Sequence, residues 1–273
     1  GLISLRSVVR FHFPLPYKMN YIKNITLHHK FFFLFLVFIV WESYFCKYSS
    51  YRIGIDNTIC SKYFYNFWNE SGFIENLQAS FLIVAIIILV RIAHRSKKKL
   101  VQTFLALKSV ALIYYLGEEL SWGQHYFDFT TPELLIEINH QKETNLHNIS
   151  NIFDQLPRTL VLIWCSLTFL IINFLEKKIY INFTFKKLLI PSNKLIFISL
   201  ILIIISTPDL IIDKFNLHPG HYDAVNKVYI AEAKIYDLIS LGFLRFSELQ
   251  ELIFTFYFFS YSIFLNKLNK NII

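Results

Sequence analysis

Charge is scarce in this chain. Asp, Glu, Lys and Arg make up 17 % of its 273 residues, against about a quarter in a soluble domain. Glycine and proline number seven each, which excludes a collagen-like or linker-like polymer. Walker A, G-x-G-x-x-G, G-x-S-x-G and H-E-x-x-H patterns are all absent. Methionine occurs once, at Met19. What fills the space is apolar: 55 % of residues are hydrophobic and 18 % aromatic, and the mean hydropathy is +0.44. Disordered chains are poor in these residue types, so disorder is excluded. The composition is that of an integral membrane protein.

A hydrocarbon core ~30 Å thick needs ~20 mostly apolar helical residues to cross it. Six segments meet that length: 31–48, 73–91, 100–120, 159–176, 195–212 and 249–266. The expected fold is therefore all-α, a polytopic bundle of about six transmembrane helices. Residues 1–18 lack helical or strand periodicity, and MNYIKNITLHHK from Met19 reads as a natural beginning. Residues 1–18 are thus expected to be an upstream or non-native extension, and 19–273 a single six-helix domain. The basic start followed by an apolar run also resembles a signal peptide. It lacks a small-residue cleavage site and runs on into Trp41, Glu42 and Tyr44, so an uncleaved span is expected.

The 27 basic residues are distributed unevenly. Seventeen lie in segments 1–30, 91–99, 176–194 and the tail after the last span. Loops rich in Lys and Arg stay cytoplasmic, which places both termini inside and segments 47–72, 121–158 and 213–246 outside. The basic charge then reports topology, and nucleic acid is not an expected partner; the bilayer is. In the outer loops, 132–140 reads as a short helix with Pro in its first turn. Segment 222–246 has the spacing of an amphipathic helix.

Ionisable residues within membrane spans are costly and mark functional interiors. Here Glu42, Glu75, Glu118, Glu119, Asp209, Glu248 and Glu251 all fall at the outer ends of spans, a coincidence that did not enter the topology argument. Glu248 and Glu251 share a helix face, as do Glu75 and Gln78, and Glu118, Ser121 and Trp122. Glu143 and His147 would share one if their loop were helical. Two uses fit such a convergence. Carboxylates with His147 hold a divalent metal such as zinc, manganese or iron. Alternatively, paired carboxylates in an apolar site keep one proton for acid or carrier work. Acids at helix N-termini also meet the dipole favourably, which accounts for Glu75, Glu248 and Glu251 singly. It does not account for Glu118 and Glu119, which lie at a helix C-terminal end.

The stretch GEELSWGQHYFDFTTPELLIEINHQKETNLHN, residues 117–148, resembles the signature of a family of bacterial multi-pass membrane proteins. That signature is a GEE-[IL]-SWGQ block, a TPE block and an E-x-NLHN block. They correspond here to Gly117–Gln124, Thr131–Glu133 and Glu143–Asn148. Segments 71–79 and 246–252 are similar to the acidic span starts of the same family. His125 stands where that pattern has Arg. The resemblance implies a bacterial cytoplasmic membrane location and a site, with no reaction attached to it. A looser similarity, to ceramidase-like and adiponectin-receptor-like hydrolases, founders on their seven spans and three zinc-binding His; HPGH at 218–221 is the nearest equivalent.

The expected site faces outward. Glu118, Glu119 and His147 would be catalytic. Trp122, Gln124, Asn145 and Ser121 would bind substrate. Glu75, Glu118, His147, Glu248 and Glu251 would complete a metal shell. The expected activity is metal-dependent hydrolysis or transfer on a lipid or lipid-linked substrate. The competing expectation is a non-enzymatic protein, a proton-coupled carrier or an assembly factor. Lys108, at mid-span, is expected to pair with Glu42 or to make a structural polar contact. His28 and His29 are expected at the inner surface. A Cys46–Cys60 disulfide is permitted on the outer side, while Cys165 is expected in the core.

Overall fold

The apolar runs 31–48, 73–91, 100–120, 195–212 and 249–266 coincide with long helices, and residues 159–166 of the run 159–176 are helical. The structure is a computed structural model that describes residues 26–52, 67, 72–139, 142–146, 149–150, 156–166, 183–190, 192–214, 222–223, 228–229 and 246–272. The long helices are α1 (Leu27–Arg52), α2 (Phe73–Arg95), α3 (Lys99–Glu119), α8 (Leu195–Lys214) and α9 (Phe246–Ile272). Between them lie the short α4 (Gln124–Phe127), α5 (Glu133–Ile138) and α7 (Phe183–Leu189), and α6 (Leu156–Ser166). The described chain is all-helical apart from one two-residue antiparallel pair, β1 (Tyr222–Asp223) with β2 (Val228–Tyr229).

Burial divides the helices into two kinds. On α9, Leu252 to Phe258, Ser260 to Ser262, Phe264 and Leu265 are all buried, so protein surrounds it on every side. An interior helix of this kind is apolar all round, and it can also carry hydroxyls that bond back to its own carbonyls. Thr255 donates to Leu252 O at 3.0 Å and Ser262 to Phe259 O at 2.7 Å. The helices around it are one-sided. Helix α2 buries Ile74, Gln78, Leu82, Ala85 and Leu89 at helical spacing, and turns Ile83, Ile87 and Val90 outward. Helix α3 turns out Leu107 and Val110, and α1 turns out Phe31, Leu34, Phe38, Trp41 and Phe45. Ile87 is 60 % exposed and Leu107 67 % exposed. These apolar residues line the outer faces of α1, α2 and α3.

Helix α9 packs chiefly on α2 and α8, and α2 packs on α3. Phe32 of α1 stacks on Phe256 of α9 at 3.6 Å between centroids, and Phe81 of α2 meets Phe256 and Phe259 at 5.5 and 5.0 Å. Three helices thus share one aromatic knot. The α2–α3 hairpin closes at Ser96, whose carbonyl accepts from Gln102 Nε2 at 2.7 Å. Ser199 Oγ of α8 donates to the Cys165 carbonyl of α6.

Among the described residues α2 and α3 are long and apolar enough to cross a membrane, and α6 and α8 carry the shorter apolar stretches Leu156–Ser166 and Leu195–Thr207. Several expectations change. His29 is buried, not at the surface, and stacks on Phe264 at 5.5 Å; α1 begins at Leu27, so both histidines lie in its first turn and this face meets α9. The segment expected as a helix from 222 starts instead with the β1–β2 pair, since Tyr222, Val228 and Tyr229 suit a strand as well as a helix face. The remainder of that segment up to 245, the 1–18 extension, the Cys60 partner of the permitted disulfide and the Cys46 side chain lie outside the described residues.

Candidate functional site

The site begins where α3 ends. Gly117 lacks a side chain for a reason: a Cβ there would lie 2.8 Å from the Trp122 ring. After Leu120 the chain reverses through three consecutive left-handed residues, Ser121 (φ 45°), Trp122 (φ 55°) and Gly123 (φ 88°). A left-handed conformation costs an L-residue about 1–2 kcal/mol, so Ser121 and Trp122 must be held there by their contacts. Trp122 folds back over α3 and its indole N–H donates to Glu118 Oε1 at 2.9 Å. The other Glu118 oxygen accepts the backbone N–H of Leu146 at 2.7 Å. Two charge-assisted hydrogen bonds offset the unfavourable position of this carboxylate at a helix C-terminus.

The loop beyond is tied to itself by the same residue types that make up its motif blocks. Ser121 Oγ donates to Glu143 Oε2 at 2.8 Å, and Asn145 Nδ2 donates to the same oxygen at 2.6 Å. Asn139 Nδ2 donates to the Asn145 carbonyl at 2.8 Å. Gln124 donates from Nε2 to Thr131 Oγ1 at 2.7 Å, and its Oε1 accepts both the N–H and the hydroxyl of Thr144, at 2.8 and 2.6 Å. Thr131 passes the connection to the Lys142 carbonyl at 2.6 Å. His125 Nε2 is 3.5 Å from Glu143 Oε1. Glu118, Ser121, Glu143 and Asn145 are all buried. This is a closed polar clasp, fastened to α2 where Tyr126 donates to Asn76 Oδ1 at 2.9 Å. Partial burial and the nearby Glu75 carboxylate push the Tyr126 hydroxyl above its ordinary range.

Glu119 points elsewhere, within electrostatic range of Glu251 and Glu248 of α9, Arg158 of α6 and Glu75 of α2. Arg158 Nη2 donates to Glu251 Oε1 at 2.6 Å. The Tyr115 hydroxyl, one turn inward from Glu119, interacts with Glu119, Glu251 and Arg158. Four helices thus bring four carboxylates and one guanidinium to the same end of the bundle, next to the clasp. Such an excess of negative charge in a partly buried chamber calls for protons or a cation.

The expected residues therefore divide. Glu75, Glu119, Glu248 and Glu251 are brought together as one chamber. Glu118, Ser121, Trp122, Gln124 and Asn145 belong to the clasp, their polar groups engaged with one another. Glu143 is not on a helical turn, because residues 142–146 are irregular, and His147 lies outside the described residues. Among the described residues no three His, Cys, Asp or Glu side chains are arranged to hold one metal ion. Two chamber residues escaped the sequence reading. Arg158 counted there only as a loop charge, although its position at the start of an apolar run was a signal. Tyr115 carried no signal beyond its spacing of four from Glu119. Lys108 finds aromatic partners, with Nζ 3.6 Å from the Tyr261 ring centroid and 4.2 Å from that of Trp164. Compared with protein-family models, with curated proteins and with solved structures, the chain matches none.

Proposed function

We propose that this chain is a six-span membrane protein of a bacterial cytoplasmic membrane, with both termini inside and the carboxylate chamber at the outer end. The chamber performs acid–base chemistry, hydrolysis or group transfer, on a lipid or lipid-linked substrate. The carrying observation is the Arg158–Glu251 ion pair at 2.6 Å, with Glu75, Glu119 and Glu248 within electrostatic range at the same end of the bundle. Glu119, most enclosed among like charges, is the proton-holding acid. Arg158 holds Glu251 in place through their ion pair. The outward apolar faces of α1, α2 and α3 support a bilayer setting, from which a lipid reaches the chamber without crossing water.

The clasp has a supporting part in this reading. It closes the chamber from outside and fixes the end of α3, and the family signature is then chiefly a scaffold. A divalent cation would offset the charge excess and, when bound, activate water, although the described carboxylates are not arranged as its ligands. The non-enzymatic alternative, a proton-coupled carrier, draws support from the same shared charge and from Lys108 in mid-helix.

Elemental analysis of detergent-purified protein beside Glu119→Gln tests the metal version. Near-stoichiometric metal that is lost in the variant is the expected result for a metalloenzyme. Metal-free protein in both, with phospholipid turnover unchanged by Glu119→Gln, would remove the enzyme reading.

A further inference from the structure

Three helices meet at the end of the bundle opposite the chamber. Helices α1 and α8 begin there, at Leu27 and Leu195, and α9, which carries Glu248 and Glu251 near its start, reaches this end at Lys267. The chain has no Asp or Glu before Glu42, between Glu176 and Asp209, or after Glu251. The basic residues at these helix ends therefore have no acid beside them in their own elements. Lys30 lies in the first turn of α1, and Lys194 directly precedes α8. Both sit at the positive end of a helix dipole, where a cation is unfavourable. Lys194 is within electrostatic range of His28 and His29, and Lys267 of His28. Burial, and then the charges of Lys267 and Lys194, push the His28 imidazole below its ordinary range. The field at this end is positive.

Beside these charges α1 and α8 leave a groove between them. It is lined by Lys30, Phe33, Leu34 and Phe197 and has a volume of about 280 Å³. Phe33 and Phe197 meet edge to face at 5.8 Å between centroids. The Phe197 N–H donates to the Lys194 carbonyl at 3.3 Å, so Lys194 lies in the turn next to that ring. The groove is thus apolar along its wall, with Lys30 on its rim and Lys194 close by. A helix, about 10 Å across with its side chains, is too wide for this volume, whereas a single acyl chain fits. Basic pockets between helices on the cytoplasmic side of a bilayer take anionic lipid head groups.

We propose that this groove holds an anionic phospholipid of the inner leaflet, phosphatidylglycerol, with one acyl chain along Phe33, Leu34 and Phe197 and its phosphate against Lys30 and Lys194. The site rests on the membrane reading and orientation above and is separate from the chemistry of the chamber. The phosphodiester supplies the anion that two lysines at helix N-termini lack. Phosphatidylethanolamine offers the same chain and phosphate but adds an ammonium, so charge selects between the two lipids.

The test uses the full chain in maltoside detergent, titrated with dioleoyl phosphatidylglycerol or dioleoyl phosphatidylethanolamine, with the lipid retained per chain counted by native mass spectrometry. Wild type is expected to retain one phosphatidylglycerol, at least ten-fold more tightly than phosphatidylethanolamine. Lys30→Ala/Lys194→Ala should weaken that retention ten-fold or more, since each lysine near an anionic head group is worth about five-fold. Lys97→Ala/Lys98→Ala removes the same charge from the α2–α3 connection on the same side and should change nothing. Leu34 is 62 % exposed, so Leu34→Trp should fold, fill the groove and displace the lipid. Wild type without a preference, a Lys30/Lys194 variant that retains phosphatidylglycerol as wild type does, or an equal loss in the Lys97/Lys98 pair overturns the proposal. Unchanged retention in Leu34→Trp overturns it as well, and that variant decides should the Lys30/Lys194 pair misfold. Protein that fails to float with vesicles after alkaline washing overturns the membrane reading itself; protein that floats but shows no preference overturns only this site.

Discussion

Glu118 and Glu119 are chain neighbours with different work, and the turn after them decides which is which. Trp122 packs on Gly117 and holds Glu118 in the clasp, leaving Glu119 on the side that faces α9. The turn is the costly part, since Ser121, Trp122 and Gly123 all take positive φ. Gly117→Ala would drive a methyl into the Trp122 ring; overpacking of this kind costs about 1–3 kcal/mol. Gly123→Ala adds left-handed strain of about 1–2 kcal/mol. Both variants should lower the thermal midpoint in detergent and shift Trp122 fluorescence toward that of an exposed indole. An unchanged Trp122 spectrum in Gly117→Ala would show that the clasp does not depend on this contact.

At the scale of elements, α9 is the organiser. It touches the aromatic knot of α1 and α2 at one level and carries Glu248 and Glu251 into the chamber at another. Leu252 is fully buried, so Leu252→Ala should destabilise by about 2–5 kcal/mol through an unfilled cavity. Ile87 faces outward, and Ile87→Ala should stay within about 0.5 kcal/mol. Comparative chemical unfolding in detergent micelles distinguishes the two. Equal losses would mean that α2 and α9 do not have these different surroundings. The long helices were legible because ~20-residue apolar runs leave few alternatives, and α5 was legible from Pro132 before Glu133. The β1–β2 pair was not, because short aromatic and β-branched stretches suit either structure.

For the whole molecule, the described helices put their apolar residues on both the inside and the outside, and gather their acids at one end. The orientation inferred from Lys and Arg predicts opposite accessibility for the two ends. In a background with Cys46, Cys60 and Cys165 replaced by Ser, Thr130→Cys should react with a membrane-impermeant maleimide on intact cells. Lys98→Cys should react only after permeabilisation. The reverse pattern would invert the topology and place the chamber inside.

Helix length and the grouping of acids at span ends follow from the sequence by itself. Both are one-dimensional properties: an apolar run has a length, and a residue has a depth along it. Rotation about the helix axis is different, because it depends on what packs against each face. Only the tertiary structure separated Glu118 from Glu119, recruited Arg158 and Tyr115 to the chamber, and surrounded Lys108 with rings. Each of these depends on the facing of two or more helices, and spacing along one helix carries no record of its partners.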